Sequence, residues 1–482
     1  MRKILTLIIF VAFLSGCSGF NDDNINLKIE TYYTGDQKFK LDELIGVFNN
    51  TIGYDNKVVV SYSSMGTVND LSEKLYTSAF GKEGVKPLPD LFVTYPAVAM
   101  KLKGYVRLFD FRELYSDGEL KDFEDKFLQF STDKNESILY MLPISKSTEV
   151  ILIDRLEFEK IGKKVGVSGK DLSTFEGIAE VAEKFYKHTD ALSPDVKNNG
   201  KAFFAIGSAA NYFMNGLHQF GVVPIENVEG NLRLNLPEDV MRVLWKNYYV
   251  PMVKGYYLRK NKYPSDDLAG DVITGCLTNS TSVSYFSKSA KFNQSDSGKV
   301  KGVNNIELRI LEAPYFKDCK VKSVYLQGGG LFALHTDDPK KKRAIKLFSS
   351  FLLNNRNNAE LNMSSLYMPV KKIIFCEEFL NDYKRTHDFD NNSLSVLSVS
   401  FKQIKDREVY SGEEQNQQEE LRFIAENYFH TKSVEAAAEF KKRIASGEDY
   451  ETVLNSLTSE EVFQNWYKEF KKSCEYVLNE IK

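Results

Sequence analysis

Residues 140–154 read YMLPISKSTEVILID, and the organisation of the chain changes at this stretch. Two β-type runs, one closing at Leu142 and one rich in Val and Ile, flank the polar segment Pro143–Thr148. Upstream, strand and helix alternate. Lys28–Tyr33 (KIETYY) reads as a strand, and residues 39–53 place Leu41, Leu44, Ile45 and Phe48 at helical spacing. KVVVSYSS (57–64) is a second strand and residues 67–81 a second helix; PDLFVTYP (89–96) is a third strand stopped by Pro96, and residues 97–105 a third helix. This alternation predicts right-handed crossovers and a parallel sheet. Open sheets of that kind hold ligands outside the carboxyl ends of their strands.

Downstream of Asp154, residues 171–189 predict a helix with an apolar stripe of Phe175, Ile178, Ala179 and Ala182, capped by Leu172 or Ser173. Strands return at ELRILEAPYF (307–316) and GGGLFAL (328–334), and a helix follows with Pro339 near its start. From Cys376 onward the sequence is helical and charged, with loops at DFDNNS (388–393) and YSGEEQNQQ (410–418).

The N-terminus carries a different message. Arg2 and Lys3 precede an apolar run, Ile4–Leu14. A helix needs roughly 20 apolar residues to span a bilayer, so this run is too short. A positive start, a short apolar middle and a small-residue end describe an export signal. LSGC (14–17) resembles a bacterial lipobox, which implies lipidation at Cys17 after removal of residues 1–16. Acyl chains anchor a protein at about 0.8 kcal/mol per buried methylene. Residues 17–26 then form a polar tether.

The 482 residues are 43% hydrophobic and 27% charged, a balance that supports two or three large cores. A net charge of −3 gives no electrostatic case for nucleic acid. The cysteines after Cys17 form no C-x-x-C pair, so neither a metal knuckle nor a redox motif is indicated. With 26 Tyr and 34 Phe against two Trp, any aromatic platform is expected to be Tyr or Phe.

In order, seven segments resemble the extracellular solute-binding proteins of ATP-driven importers, in the sugar-binding family: KIETYYTGD (28–36), SYSSMGTVNDLSEKL (61–75), LPDLFVTYPAVAMKL (88–102), YMLPISKSTEVILID (140–154), AGDVITGCLTNSTSVSYF (269–286), QGGGLFAL (327–334) and SSLYMPVKK (364–372). The resemblance covers residues 27–375. It implies the α/β type II periplasmic-binding-protein fold, with two α/β lobes joined by strand crossovers around a ligand cleft. One lobe is expected at 27–143 plus 310–350, the other at 144–309 plus 351–482, with the crossover at Pro143–Thr148. The implied partners are a small solute and the permease subunits of the importer. The implied location is extracytoplasmic, attached to the membrane through Cys17, with the protein acting as a monomer.

A sugar site needs flat apolar faces and short polar groups. Loops at the predicted strand ends supply both: Tyr32 and Tyr33 after the first strand, Ser64 after the second, Tyr95 after the third. Ser145, Ser147 and Thr148 lie at the crossover, Ser280 at a later strand end, Gly329 in the glycine run, and Tyr367 at the position of the family's G-Y-x-P segment. Two departures from the family matter. Ala97 and Val98 stand where relatives commonly carry Ser-Trp, and Phe175 where they commonly carry Trp. Fewer aromatic faces suit a smaller or more polar ligand, such as a glycerol phosphate or glycerophosphodiester. Such an anion would need a fixed cation or a helix N-terminus; the matching loops carry no Arg, and Lys146 lies in the crossover.

The enzymatic alternative, a cell-envelope hydrolase, finds no G-x-S-x-G elbow and no H-E-x-x-H. The five histidines show no ligand spacing, and the D-x-D-x-N of 388–392 lacks the glycine and terminal Glu of a calcium loop. No catalytic residue, metal or cofactor is expected. A surface adhesion or scaffold lipoprotein is the remaining alternative, because the helical C-terminal region runs past the recognisable segments.

Overall fold

The computed structural model describes residues 24–81, 86–132, 138–229, 231–286, 306–387, 389–412 and 418–480. Cys17, the export signal and most of the expected tether lie outside them.

Thirteen strands, β1 (Ile25–Thr31), β2 (Val58–Ser64), β3 (Leu91–Thr94), β4 (Leu142–Pro143), β5 (Ser147–Asp154), β6 (Phe204–Ile206), β7 (Ile225–Val228), β8 (Asn231–Leu234), β9 (Gly275–Asn279), β10 (Leu308–Glu312), β11 (Ser323–Gln327), β12 (Gly330–Ala333) and β13 (Glu408–Tyr410), form two principal sheets and a hairpin. The first sheet runs β2-β1-β3-β12-β4. Its parallel pairs, β1 with β2 and β1 with β3, follow from the βαβ alternation, whereas β12 runs antiparallel to β3. The second sheet runs β13-β11-β5-β9-β6, with β10 also paired to β5. β5 lies at its centre. Seven of the eight residues of β5 are buried, which is why STEVILID reads as a continuous run rather than an alternation.

The chain passes between the sheets at β4 to β5 and again at β11 to β12. A third passage follows the helix Asn355–Met363, where Lys146 and Met368 exchange backbone hydrogen bonds at 3.2 and 2.6 Å. Glycine is required in the second passage. Gly328 has φ +115°, and a Cβ there would lie 2.2 Å from the carbonyl oxygen of Ser145. The helix Asn355–Met363 holds the first passage, because Asn358 and Asn362 both donate to the Ile144 carbonyl, at 3.0 and 2.9 Å.

Four expectations change. β10 and β11, expected with the first lobe in the 310–350 segment, pair with β5 in the second sheet. Their hydrogen bonds decide the matter, and sequence distance from β12 does not. Ile25 and Asn26, expected in the tether, extend β1 through pairing with Val58 and Val59. The helix Phe175–Asp190 is capped by Thr174, whose hydroxyl accepts from Gly177 N at 3.1 Å. Finally, Glu408–Tyr410 in the helical C-terminal region is a strand, parallel to β11.

The C-terminal helices pack onto the second lobe's core, where Phe429 and Phe470 meet Phe213 and Phe463 meets Trp245. The long helix Glu460–Glu480 stacks Trp466 on Phe470 with ring centroids 5.2 Å apart, and Phe429 meets Trp466 edge-on at 5.0 Å. Among the described residues, no helix is long and apolar enough to cross a membrane.

Candidate functional site

The two tyrosines that follow β1 and the one that follows β3 all project from carboxyl strand ends. Tyr32 and Tyr95 stack with centroids 5.6 Å apart and planes 13° apart, and Tyr33 stands edge-on to Tyr32. This aromatic group separates two hollows between the lobes. One, of about 320 Å³, is lined by Tyr32, Tyr33 and Tyr367 on one side and by Thr281 and Ser284 of the second lobe on the other. The second, of about 230 Å³, sets Tyr95 and Val68 against Gln327, Glu419 and Arg422. A larger hollow of about 520 Å³ around Tyr105 and His335 is lined by the first lobe alone, so lobe closure cannot enclose a ligand there.

The expected site residues divide by what their polar atoms do. Tyr95 and Tyr367 are half-buried in the hollows. Tyr32 is 9% exposed, and its hydroxyl is buried without a hydrogen bond of ordinary geometry. Burial, then the neighbouring Tyr95, holds its proton well above the usual phenol range. Tyr33 reaches the first hollow, but its hydroxyl and Gln37 Nε2 both lie 3.1 Å from Ser145 Oγ. Ser64 turns inward and donates to the Tyr33 carbonyl.

The crossover hydroxyls are used inside the protein. Ser145, Ser147, Thr148 and Ser280 are each at most 1% exposed. Ser147 Oγ accepts from Asn279 Nδ2 at 3.0 Å, and Thr148 Oγ1 donates to the Tyr325 carbonyl at 3.0 Å. Ser280 Oγ lies 3.5 Å from Thr148 N. Gly329 sits behind Tyr32, where a Cβ would come 3.0 Å from the tyrosine hydroxyl. Lys146 is also buried, with its ammonium 3.4 Å from the Gly328 carbonyl. It braces the passages and does not line either hollow. Phe175 and both tryptophans pack in the second lobe's core, and Tyr212 packs there too, with its hydroxyl donating to the Leu244 carbonyl.

Sequence reasoning missed one group of residues. Arg422, on the helix Gln418–Ala425, donates from Nη1 to the Tyr325 hydroxyl and from Nη2 to Asn211 Oδ1, each at 2.6 Å. Asn211 Nδ2 in turn donates to Glu149 Oε1 at 3.0 Å. Glu149 is 5% exposed, and burial outweighs Asn211 and Arg422 to lift its pKa to about 7. The motif-bearing segments gave no sign of this group, because Arg422 lies beyond all of them. The only available signal was the presence of charged helical sequence after residue 375.

Among the described residues, no cluster of three or more His, Cys, Asp or Glu could hold a metal ion. The four cysteines Cys276, Cys319, Cys376 and Cys474 are unpaired thiols. Asp390 in the faint calcium-loop pattern serves as a helix cap, accepting from Ser393 N at 2.7 Å.

Residues 48–382 match the model of a family described as bacterial extracellular solute-binding protein, which places its members outside the cytoplasm. No curated protein sequence matches the chain. Among solved structures, a cyclic α-maltosyl-1,6-maltose binding protein from Arthrobacter globiformis is similar, with 13% identity, 94% of this chain and 99% of that one covered, and a TM-score of 0.65. UgpB from Mycobacterium tuberculosis, in complex with glycerophosphocholine, gives 14%, 90%, 99% and 0.63. An ABC substrate-binding protein from Listeria monocytogenes, in complex with cycloalternan, gives 16%, 94%, 99% and 0.59. At such identities the likeness establishes the fold, the two-lobed type II arrangement of periplasmic binding proteins. The family match spans well over half of the sequence, and the chain belongs to the bacterial extracellular solute-binding proteins.

Proposed function

We propose that this protein captures a carbohydrate between its lobes and passes it to the membrane permease of an ATP-driven importer, held at the membrane by lipid on Cys17. The observation that carries the reading is the Tyr32–Tyr95 stack, facing inter-lobe hollows whose opposite walls bear short polar side chains. Sugar rings present C–H faces to aromatic surfaces and hydroxyls to groups such as Thr281, Ser284 and Gln327. One of the similar structures is a cyclic α-maltosyl-1,6-maltose binding protein, and another holds cycloalternan.

On this reading one lobe comprises residues 24–143 and 330–370, and the other residues 144–327 and 371–480. Tyr32, Tyr33, Tyr95 and Tyr367 contact the ligand. Ser64, Ser145, Ser147, Thr148, Ser280 and Gly329 support the hinge and the cleft wall. A ligand touching both lobes binds the closed form better and shifts the population toward it, and the three passages absorb the rotation. The protein itself makes and breaks no bonds of the solute.

The test is a thermal-shift panel of mono- and oligosaccharides, glycerol phosphates and glycerophosphodiesters. A ligand at 100 times its Kd should stabilise by about 2.7 kcal/mol. A sugar that stabilises the wild type and loses its effect in Tyr95→Ala supports the reading. Silence across the whole panel removes it and leaves a scaffold role as the better account.

A further inference from the structure

We infer that Arg422 is an anion-recognising residue of the cleft, whose guanidinium receives a phosphoryl or carboxylate group carried by the bound solute. The inference rests on the solute-capture reading and narrows its substrate class to oxyanion-bearing sugars or glycerols.

Geometry is the first support. Arg422 is half-buried and lines the 230 Å³ hollow opposite Tyr95, so a ligand that lies on the tyrosine face comes within reach of the guanidinium. The group is also pre-oriented. Its two terminal nitrogens are tied to Tyr325 and Asn211, and its plane stands over the Tyr325 ring at 5.3 Å. A guanidinium carries five N–H donors in a rigid fork suited to carboxylate and phosphate, and these two bonds leave donors to spare. Little side-chain freedom remains to be lost on binding.

Charge is the second support. Arg155, Arg242, Arg259 and Arg407 each pair with a carboxylate of this chain. Arg422 has no carboxylate within ion-pair distance among the described residues, and both of its hydrogen-bond partners are neutral. The nearest buried acid, Glu149, is reached only through Asn211, and burial keeps much of it protonated near neutral pH. Glu419 shares the hollow but is exposed, so water weakens its pull on Arg422 without abolishing it. A partly buried cation with no direct ion-pair partner, facing an inter-lobe hollow, is a place where an incoming oxyanion gains a charge-assisted, bidentate contact. Residue 422 also lies past the family match, which ends at residue 382, so the C-terminal helices of this chain supply the cation that its crossover does not.

The experiment is calorimetric titration of the purified protein with sn-glycerol 3-phosphate, glycerophosphocholine, trigalacturonate and neutral maltotriose, at low and high NaCl. At least one anionic probe should bind, about tenfold more weakly at high salt. Arg422→Gln should weaken it tenfold or more, Arg422→Lys less, and Glu419→Gln should tighten it several-fold. Because Arg422 also holds Tyr325 and Asn211, the exposed Glu419 variant and the salt series test the idea even if the arginine variants fold poorly. Binding of maltotriose alone overturns the inference and leaves the capture reading standing. Binding of no probe overturns both. Anion binding that ignores salt and all three substitutions overturns the inference as well.

Discussion

Replacing Glu149 with Gln should remove a pH-dependent cost that the native state carries. The carboxyl is 5% exposed, accepts one hydrogen bond from Asn211 and feels the charge of Arg422, yet burial prevails and raises its pKa from 4.5 to about 7. The sign follows from which state ionises first. Below about pH 4.5 both states are protonated and the group makes no difference. As the pH climbs, the unfolded chain ionises first while the native carboxyl holds its proton, so stability falls. Above about pH 7 both are ionised and the loss is complete. At roughly 1.4 kcal/mol per pH unit the gap amounts to about 3 kcal/mol, most of it falling between pH 5 and pH 8. Gln keeps an acceptor for Asn211 and has no proton to lose. Urea unfolding of both proteins at the two pH values reads the effect directly. The advantage of the variant over the wild type should grow by about 2–3 kcal/mol from pH 5 to pH 8. A difference that stays constant to within about 0.5 kcal/mol would show that Glu149 is solvated or fully neutralised by Arg422, and the argument would fail.

Gly328→Ala should cost about 2–4 kcal/mol, because φ +115° strains any side chain and the new Cβ meets the Ser145 carbonyl at 2.2 Å. A wild-type urea midpoint would mean that the two passages are not in contact. Trp466→Ala should cost about 3–5 kcal/mol, through loss of its packing on Phe470 and Phe429 and of the bond from its indole N–H to the Tyr428 carbonyl. Hydrogen exchange should rise first in residues 418–480 and in the helices Ala209–Gln219 and Glu238–Val253 that they pack against, and exchange spread evenly over the chain would refute this placement of Trp466.

Local chemistry made the first sheet and the crossover legible. Val, Ile and Leu runs followed by helices with periodic apolar residues dictate β1–β3, and the buried YMLPISKSTEVILID stretch could only join one layer to another. Tyr32 and Tyr95 were visible for the same reason, being the first residues past carboxyl strand ends. The partition of β10 and β11 was not legible. It depends on pairing Leu308 with Asp154 and Leu326 with Thr148, contacts across more than a hundred residues that leave no mark in either strand's composition. Arg422 was hidden similarly. Its partners Tyr325 and Asn211 are 97 and 211 residues away in sequence, and its own helix reads as ordinary charged surface.

The hydroxyl-rich crossover illustrates why sequence pointed to too many ligand groups. Three chain passages lie side by side at the centre of the molecule, and backbone amides and carbonyls that leave a sheet there would be stranded without partners. The observed bonds from Asn358 and Asn362 to the Ile144 carbonyl and from Thr148 to the Tyr325 carbonyl meet that need, and Asn279 ties the Ser147 and Gln327 side chains together beside them. An unmet buried donor or acceptor costs about 1–3 kcal/mol, comparable with what a hydroxyl would gain from a sugar. A residue that satisfies the hinge therefore cannot exchange its bond for a ligand without destabilising the hinge by a similar amount. The groups that face the hollows outside this hinge network are the Tyr32–Tyr95 pair, the half-buried Tyr367, and Arg422, whose guanidinium has donors beyond those it spends on Tyr325 and Asn211. On the solute-capture proposal, specificity then lies at the rim of the hinge and on the C-terminal helices, while the crossover governs how the lobes move.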